Sequence, residues 1–182
     1  MRAIANISWP PHTLLLALTM AGCSGAAPHA ATPSHGHAVV AGAEARDFGT
    51  QPWAIDIEED TLHNDHFRVA RWTGSFLQMT LMSIDVGGEI GGEQHDDIDQ
   101  FIRIEAGKAR VIMGKGPQNL SFDQEVEDDW AVFIPAGYWH NVMNIGDVPL
   151  KIYSIYGPGE HPRGTLHETF EDSANDPHHH HH

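Results

Sequence analysis

Residues 87–107, "GGEIGGEQHDDIDQFIRIEAG", set one imidazole, several carboxylates and a carboxamide between glycines, then pass into an alternating apolar run. On a strand, residues two apart point the same way, so Glu93 and His95 can face one interior. The turn "DDID" reverses the chain and brings Gln100 in from the next strand, with Ile102 and Ile104 on the same face. Glycines at 87, 88, 91 and 92 permit tight turning and close strand approach. Two readings stand at this point: a charged surface loop with His95 a bystander, or half of a metal site whose complement lies elsewhere.

The sequence around this stretch has a β texture. The segments "WAIDIEE", "HFRVARW", "FLQMTLMSIDV", "FIRIE", "ARVIMG", "WAVFIPAG", "HNVMNIG" and "LKIYSIYG" are short, and many alternate apolar with polar residues. Turn signals such as "GG", "EAGK", "GKGP", "PAG" and "IGDVP" separate them. Many short strands at regular spacing predict a sandwich or barrel, one domain over residues 47–172. No stretch reads as a long amphipathic helix or an internal repeat. Met79, Met82 and Met113 are expected to pack the core.

The complement is "FIPAGYWHNVMN", residues 133–144, which supplies Pro135, Gly137, His140 and Asn144 about forty residues after His95. Pro135 and Gly137 set a turn that launches His140 onto a strand. Together the two segments resemble the paired motifs of the cupin superfamily, G-x5-H-x-H-x4-E-x6-G and G-x5-P-x-G-x2-H-x3-N. The first pattern runs here from Gly87 to Gly107, with Glu93, His95 and Gln100 on its three ligand positions. The second runs from Asp129 through Pro135, Gly137 and His140 to Asn144, and all spacings fit without a gap. More closely, the domain resembles small bacterial single-domain cupins labelled mannose-6-phosphate-isomerase-like.

The resemblance implies an all-β, single-domain cupin jelly-roll barrel with one divalent metal ion held by Glu93, His95, Gln100 and His140. The chain departs from the pattern at two ligands: Glu93 stands for the first histidine and Gln100 for the usual glutamate. One carboxylate therefore remains beside two imidazoles and a neutral amide, and phosphomannose isomerases carry the same types with Gln and Glu exchanged. Asp129 replaces a glycine of the second pattern, a mild change because aspartate suits turns. Burying a carboxylate and two imidazoles without a cation is costly, which favours a metal over a metal-free cupin. Nitrogen and oxygen ligands leave Zn, Mn, Fe, Ni and Co open. Asp96, Asp97 and Asp99 read as solvated turn residues, Tyr138 and Trp139 as shell packing, and Arg103 as an outward strand residue. His161 and His167 are expected on a tail covering the barrel.

The ends carry a different message. Residues 1–22 have one early cation, an apolar run "LLLALTM" and small residues before Cys23, the form of a secretory signal too short to span a membrane. "TMAGC" resembles a bacterial lipobox, which implies lipidation of Cys23, and Ser24 after it implies outer-membrane sorting. Residues 23–46, rich in Ala, Gly, Pro and Ser, read as a flexible tether. Residues 173–182 read as a disordered tail whose five histidines are either a purification tag or native. The single cysteine excludes an intrachain disulfide and a thiolate zinc site.

Twenty-five acidic against ten basic residues make nucleic acid and anionic lipid surfaces poor partners. Membrane attachment is expected only through the lipid anchor, on the periplasmic side of the envelope. The expected partner is a small oxygen-bearing ligand or substrate, with a homodimer possible through exposed strand edges. Two functions remain open: dioxygenase- or isomerase-like chemistry at the metal with Glu93 as candidate proton acceptor, or a non-catalytic metal- or ligand-binding lipoprotein.

Overall fold

The computed structural model describes residues 46–177. The signal expected over 1–22, Cys23 with nearly all of the tether, and the five terminal histidines lie outside them. A short helix α1 (Ile57–His63) precedes ten strands: β1 (Arg68–Thr73), β2 (Gln78–Ile84), β3 (Glu93–Gln94), β4 (Asp99–Ala106), β5 (Lys108–Gly114), β6 (Leu120–Glu127), β7 (Ala131–Ile134), β8 (Trp139–Asn144), β9 (Leu150–Gly157) and β10 (Leu166–His167). A last helix, α2 (Phe170–Ala174), follows. All neighbouring strands are antiparallel, in a six-stranded sheet β10-β1-β2-β9-β4-β7 and a four-stranded sheet β3-β8-β5-β6. This is the all-β jelly roll that the resemblance implies, one form of the sandwich or barrel expected from the strand pattern.

Register decides what enters the interior. Across the large sheet, Ile84 pairs with Leu150, and Met82 with Ile152, which in turn faces Ile104. These side chains meet Val111, Met113, Val126 and Val142 of the small sheet in one buried apolar cluster. Further along the same strands, on the same inner face, the residues become polar. Thr80 pairs with Ser154, and Gln78 with Tyr156, which faces Gln100. All five are buried. The barrel thus has an apolar half that stabilises it by burial and a polar half that burial alone would penalise.

Two expectations need correction, and one strand is new. "WAIDIEE" was expected to be a strand, but its second half is α1: the Asp56 side chain caps the Glu59 amide, and Glu58, Glu59 and Asp60 load the first turn with acid. β6 carries no recognisable strand signal, because among the described residues it pairs with β5 alone and only Val126 of its eight residues is buried. The end of the ordered domain was placed at 172, yet α2 crosses that point, closed by a capping box between Thr169 and Asp172.

Candidate metal centre

Four side chains from different elements converge in the polar half. Glu93 on β3 pairs directly with His140 on β8, and Met113 of β5 flanks His140 on its other side. His95 follows β3, where its carbonyl accepts from the Gly137 amide at 2.7 Å, tying the two motif segments together. Gly137 makes that turn with φ 74°, a conformation glycine adopts without steric cost. Gln100 enters from β4.

Glu93 Oε1 lies 3.5 Å from His95 Nε2 and 3.3 Å from His140 Nε2. One ligand atom from each of the three residues can be chosen so that all lie within 4.8 Å of one another. The two imidazoles stand 5.5 Å apart, centroid to centroid. Nε2 of His95, Nε2 of His140 and Oε1 of Gln100 are buried with no hydrogen-bond partner. Gln100 Nε2 reaches Ser154 Oγ at 3.5 Å, leaving its carbonyl oxygen as the group without a partner. Glu93, His95 and His140, three of the four expected ligands, are therefore brought together, while Gln100 is buried on the inner face of β4 with its amide nitrogen toward Ser154.

The surroundings fix how each ligand is presented. His140 Nδ1 lies 3.1 Å from the Tyr138 carbonyl, an acceptor only, so the proton sits on Nδ1 and Nε2 keeps its lone pair. His95 Nδ1 lies 3.5 Å from Glu160 Oε1, which orients the second imidazole likewise. Burial alone would push the Glu93 carboxyl up, but the two imidazoles beside it and the charge of Arg68 hold it well below the usual carboxylate range. Burial would lower His95, and the neighbouring carboxylates of Glu93 and Glu160 raise it above its ordinary value instead. An anionic oxygen beside two imidazoles and an amide carbonyl is a donor set suited to a divalent cation.

Several residues of this region escaped the sequence. Glu160 sits in the irregular run after β9, where no periodicity marks it. Arg68 and Thr80 are inward strand residues that look like any polar position of an alternating segment. Tyr156 is buried, its hydroxyl pushed up to about 12 by burial and lying 3.4 Å from His161 Nε2. His161 also locks the tail over the barrel: Gln78 donates to its carbonyl and accepts from its amide, both at 2.8 Å. His167 lies on β10 and reaches Asp176 at 2.8 Å. Asp96, Asp97 and Asp99 are exposed as expected, and Asp99 accepts from the Ala136 amide. Arg103 points away from the site toward Glu105 and Asp129, and Tyr138 packs against the apolar cluster.

Comparison with known proteins agrees with this architecture. Residues 80–156 match the model of the cupin domain. The YrkC protein of Bacillus subtilis (strain 168) is 50% identical over 129 residues, covering 71% of this chain and 69% of that protein. Protein L612 of Acanthamoeba polyphaga mimivirus is 36% identical over 117 residues, covering 64% of this chain and 71% of its own. The crystal structure of BH2720 from Bacillus halodurans aligns with a TM-score of 0.70 at 53% identity, over 71% of this chain and 98% of that one. With two motif segments folded into one buried ligand cluster inside an antiparallel jelly roll, and with these relatives, the chain belongs to the cupin family.

Proposed function

We propose that the polar half of the barrel holds one divalent metal ion through Glu93, His95, Gln100 and His140 and there acts on a small oxygen-bearing molecule. The observation that carries this reading is that Glu93, His95 and His140 each bring a ligand atom to within 4.8 Å of the others, while Nε2 of both imidazoles and Oε1 of Gln100 are buried with no hydrogen-bond partner. Groups of this kind are costly to bury unless something binds them. When bound, the ion supplies Lewis acidity for isomerase-like chemistry or a redox-active centre for dioxygenase-like chemistry. Glu93 is the candidate proton acceptor, since its carboxyl stays ionised despite burial. Tyr138 and Glu160 keep the two imidazoles in the ligating tautomer.

The test is metal content and thermal stability of the protein with its terminal histidines removed. About one divalent ion per chain is expected, and His140→Ala should lose it. A ligand held only by the folded state stabilises by about 2.7 kcal/mol when free ion is about a hundred times Kd, roughly 10 °C in Tm for a domain of this size. Gln100→Glu should tighten binding, because a second anionic ligand replaces a neutral one. Identical melting with and without Zn, Mn, Fe(II), Co and Ni, together with no metal by elemental analysis, would refute the reading.

The protein is further proposed to work at the cell envelope, tethered by lipid on Cys23 and facing the periplasm. "TMAGC" before a lone cysteine supports this. Expressed with its own signal in a Gram-negative host, it should fractionate with membranes and incorporate labelled palmitate. Uptake of label by Cys23→Ala would overturn the anchor.

A further inference from the structure

Among the described residues Arg68 is the largest side chain wholly withdrawn from solvent, and beyond its charge acting on Glu93 the proposed metal chemistry gives it no part. Register places it inside: Ala70 pairs with the inward Thr80, and Arg68 lies two residues before Ala70 on β1, hence on the same face. Its Nη1 donates to Ser173 Oγ of α2 at 2.8 Å. Nε and Nη2 have no hydrogen-bond partner. Those two nitrogens form one edge of the guanidinium, the fork that matches the two oxygens of a carboxylate or phosphate. Thr80 Oγ1, on the same inner face, is likewise buried without a partner. Thr80 pairs with Ser154, whose hydroxyl lies 3.5 Å from Gln100 Nε2, so a row of polar side chains runs from this region to a metal ligand. The Arg68 charge acts on both Glu93 and His95.

A buried guanidinium with one edge unmet is costly unless it serves an anion that comes and goes. Charge points the same way. A divalent ion bound here, together with Arg68, would carry more positive charge than the carboxylates of Glu93 and Glu160 balance, since Gln100 is neutral where a glutamate would cancel the surplus. We propose that the molecule taken by this barrel carries an oxyanion group, a carboxylate or a phosphate, received by the Nε and Nη2 edge of Arg68 and the hydroxyl of Thr80 while its other oxygens approach the metal ligands. This inference rests on the metal reading above and extends it to the class of ligand.

The experiment uses the protein with its five terminal histidines removed, loaded with Co(II), after its cobalt content has been measured, and follows the visible cobalt absorption and the heat of binding. The probes are lactate, its uncharged counterpart propane-1,2-diol, and inorganic phosphate. Lactate or phosphate should bind the wild type roughly tenfold or more tighter than the diol. Arg68→Met should erase that preference while cobalt stays bound, Arg68→Lys should lose part of it, and Thr80→Val should weaken the anion by roughly fivefold. Whether lactate or phosphate shows the greater dependence on Arg68 identifies which oxyanion the site takes. If Arg68→Met does not fold, the lysine and valine variants decide the matter. A guanidinium that merely balances Glu93 would alter melting and cobalt affinity and leave the preference for anion over diol intact, and that result overturns the inference alone. Absence of bound cobalt in the wild type overturns the metal reading and this one with it.

Discussion

At the scale of single residues, the buried Glu93–His95–His140 cluster couples stability to pH in opposite senses with and without metal. Glu93 is held below the carboxylate range, so its contribution is present above that range and lost as pH falls through its lowered value. His95 is raised above its ordinary 6.5, so its contribution is present below about that pH and lost as pH rises through the raised value. The metal-free protein should therefore be most stable between the carboxylate range and about pH 6.5, and its Tm should fall above that. The metal requires neutral His95, so apparent affinity should climb over the same interval in which metal-free stability declines. Thermal melts at several pH values, with and without Zn, check both slopes, and Glu93→Gln should flatten the metal-free decline. A second single-residue effect sits at Asp129, which has φ 71° where the cupin pattern has glycine. Aspartate tolerates that left-handed conformation better than most residues, so Asp129→Ala should be less stable than Asp129→Gly by about 1 kcal/mol in denaturant unfolding.

Among the elements, α2 connects the end of the chain to the barrel interior, because Ser173 holds Arg68 from it. Its five residues depend on their cap: the Thr169 hydroxyl accepts from the Asp172 amide while the Asp172 carboxylate accepts from the Thr169 amide. Thr169→Ala should cost about 1 kcal/mol, read as a lower midpoint in urea. This helix also marks where the sequence stops being informative. Strands with one buried face were legible, since Ile102 with Ile104 and Ile152 with Leu150 alternate with outward residues. The cluster of Glu93, His95 and His140 was legible because glycine, proline and histidine spacings in two motifs reflect turns of fixed geometry, including Gly107 at φ 93° packed against Leu150. β6 was not, having almost no buried face to leave a pattern. α1 was not, because "AIDI" alternates like a strand and only the Asp56 cap breaks the tie. Arg68 and Glu160 owe their roles to tertiary placement, and local periodicity carries no trace of that.

For the whole molecule, the same alternation that fills the barrel leaves an apolar outer face on the large sheet. Val132 and Ile134 of β7 turn inward, so Phe133 turns outward and is 71% exposed. It meets Phe101 of β4 edge-on at 5.2 Å, and these two with Leu77 and Ile155 line one groove. Phe76 beside it is 81% exposed. Among the described residues β7 pairs only with β4, so the apolar face ends at an open strand edge. The homodimer expected from exposed strand edges is proposed to form here, where two copies can bury aromatic surface that water meets in one. The chain carries a formal net charge of −15, so like charges oppose the pairing at long range. Added salt screens that repulsion and leaves the apolar contact, so the dimer should strengthen as ionic strength rises. Phe133→Asp should abolish it without changing the fold, since the side chain turns outward and is mostly exposed. Analytical ultracentrifugation at two salt concentrations decides this: a wild type that stays monomeric at high concentration and high salt, or a Phe133→Asp protein that still dimerises, removes the large sheet's outer face as the interface.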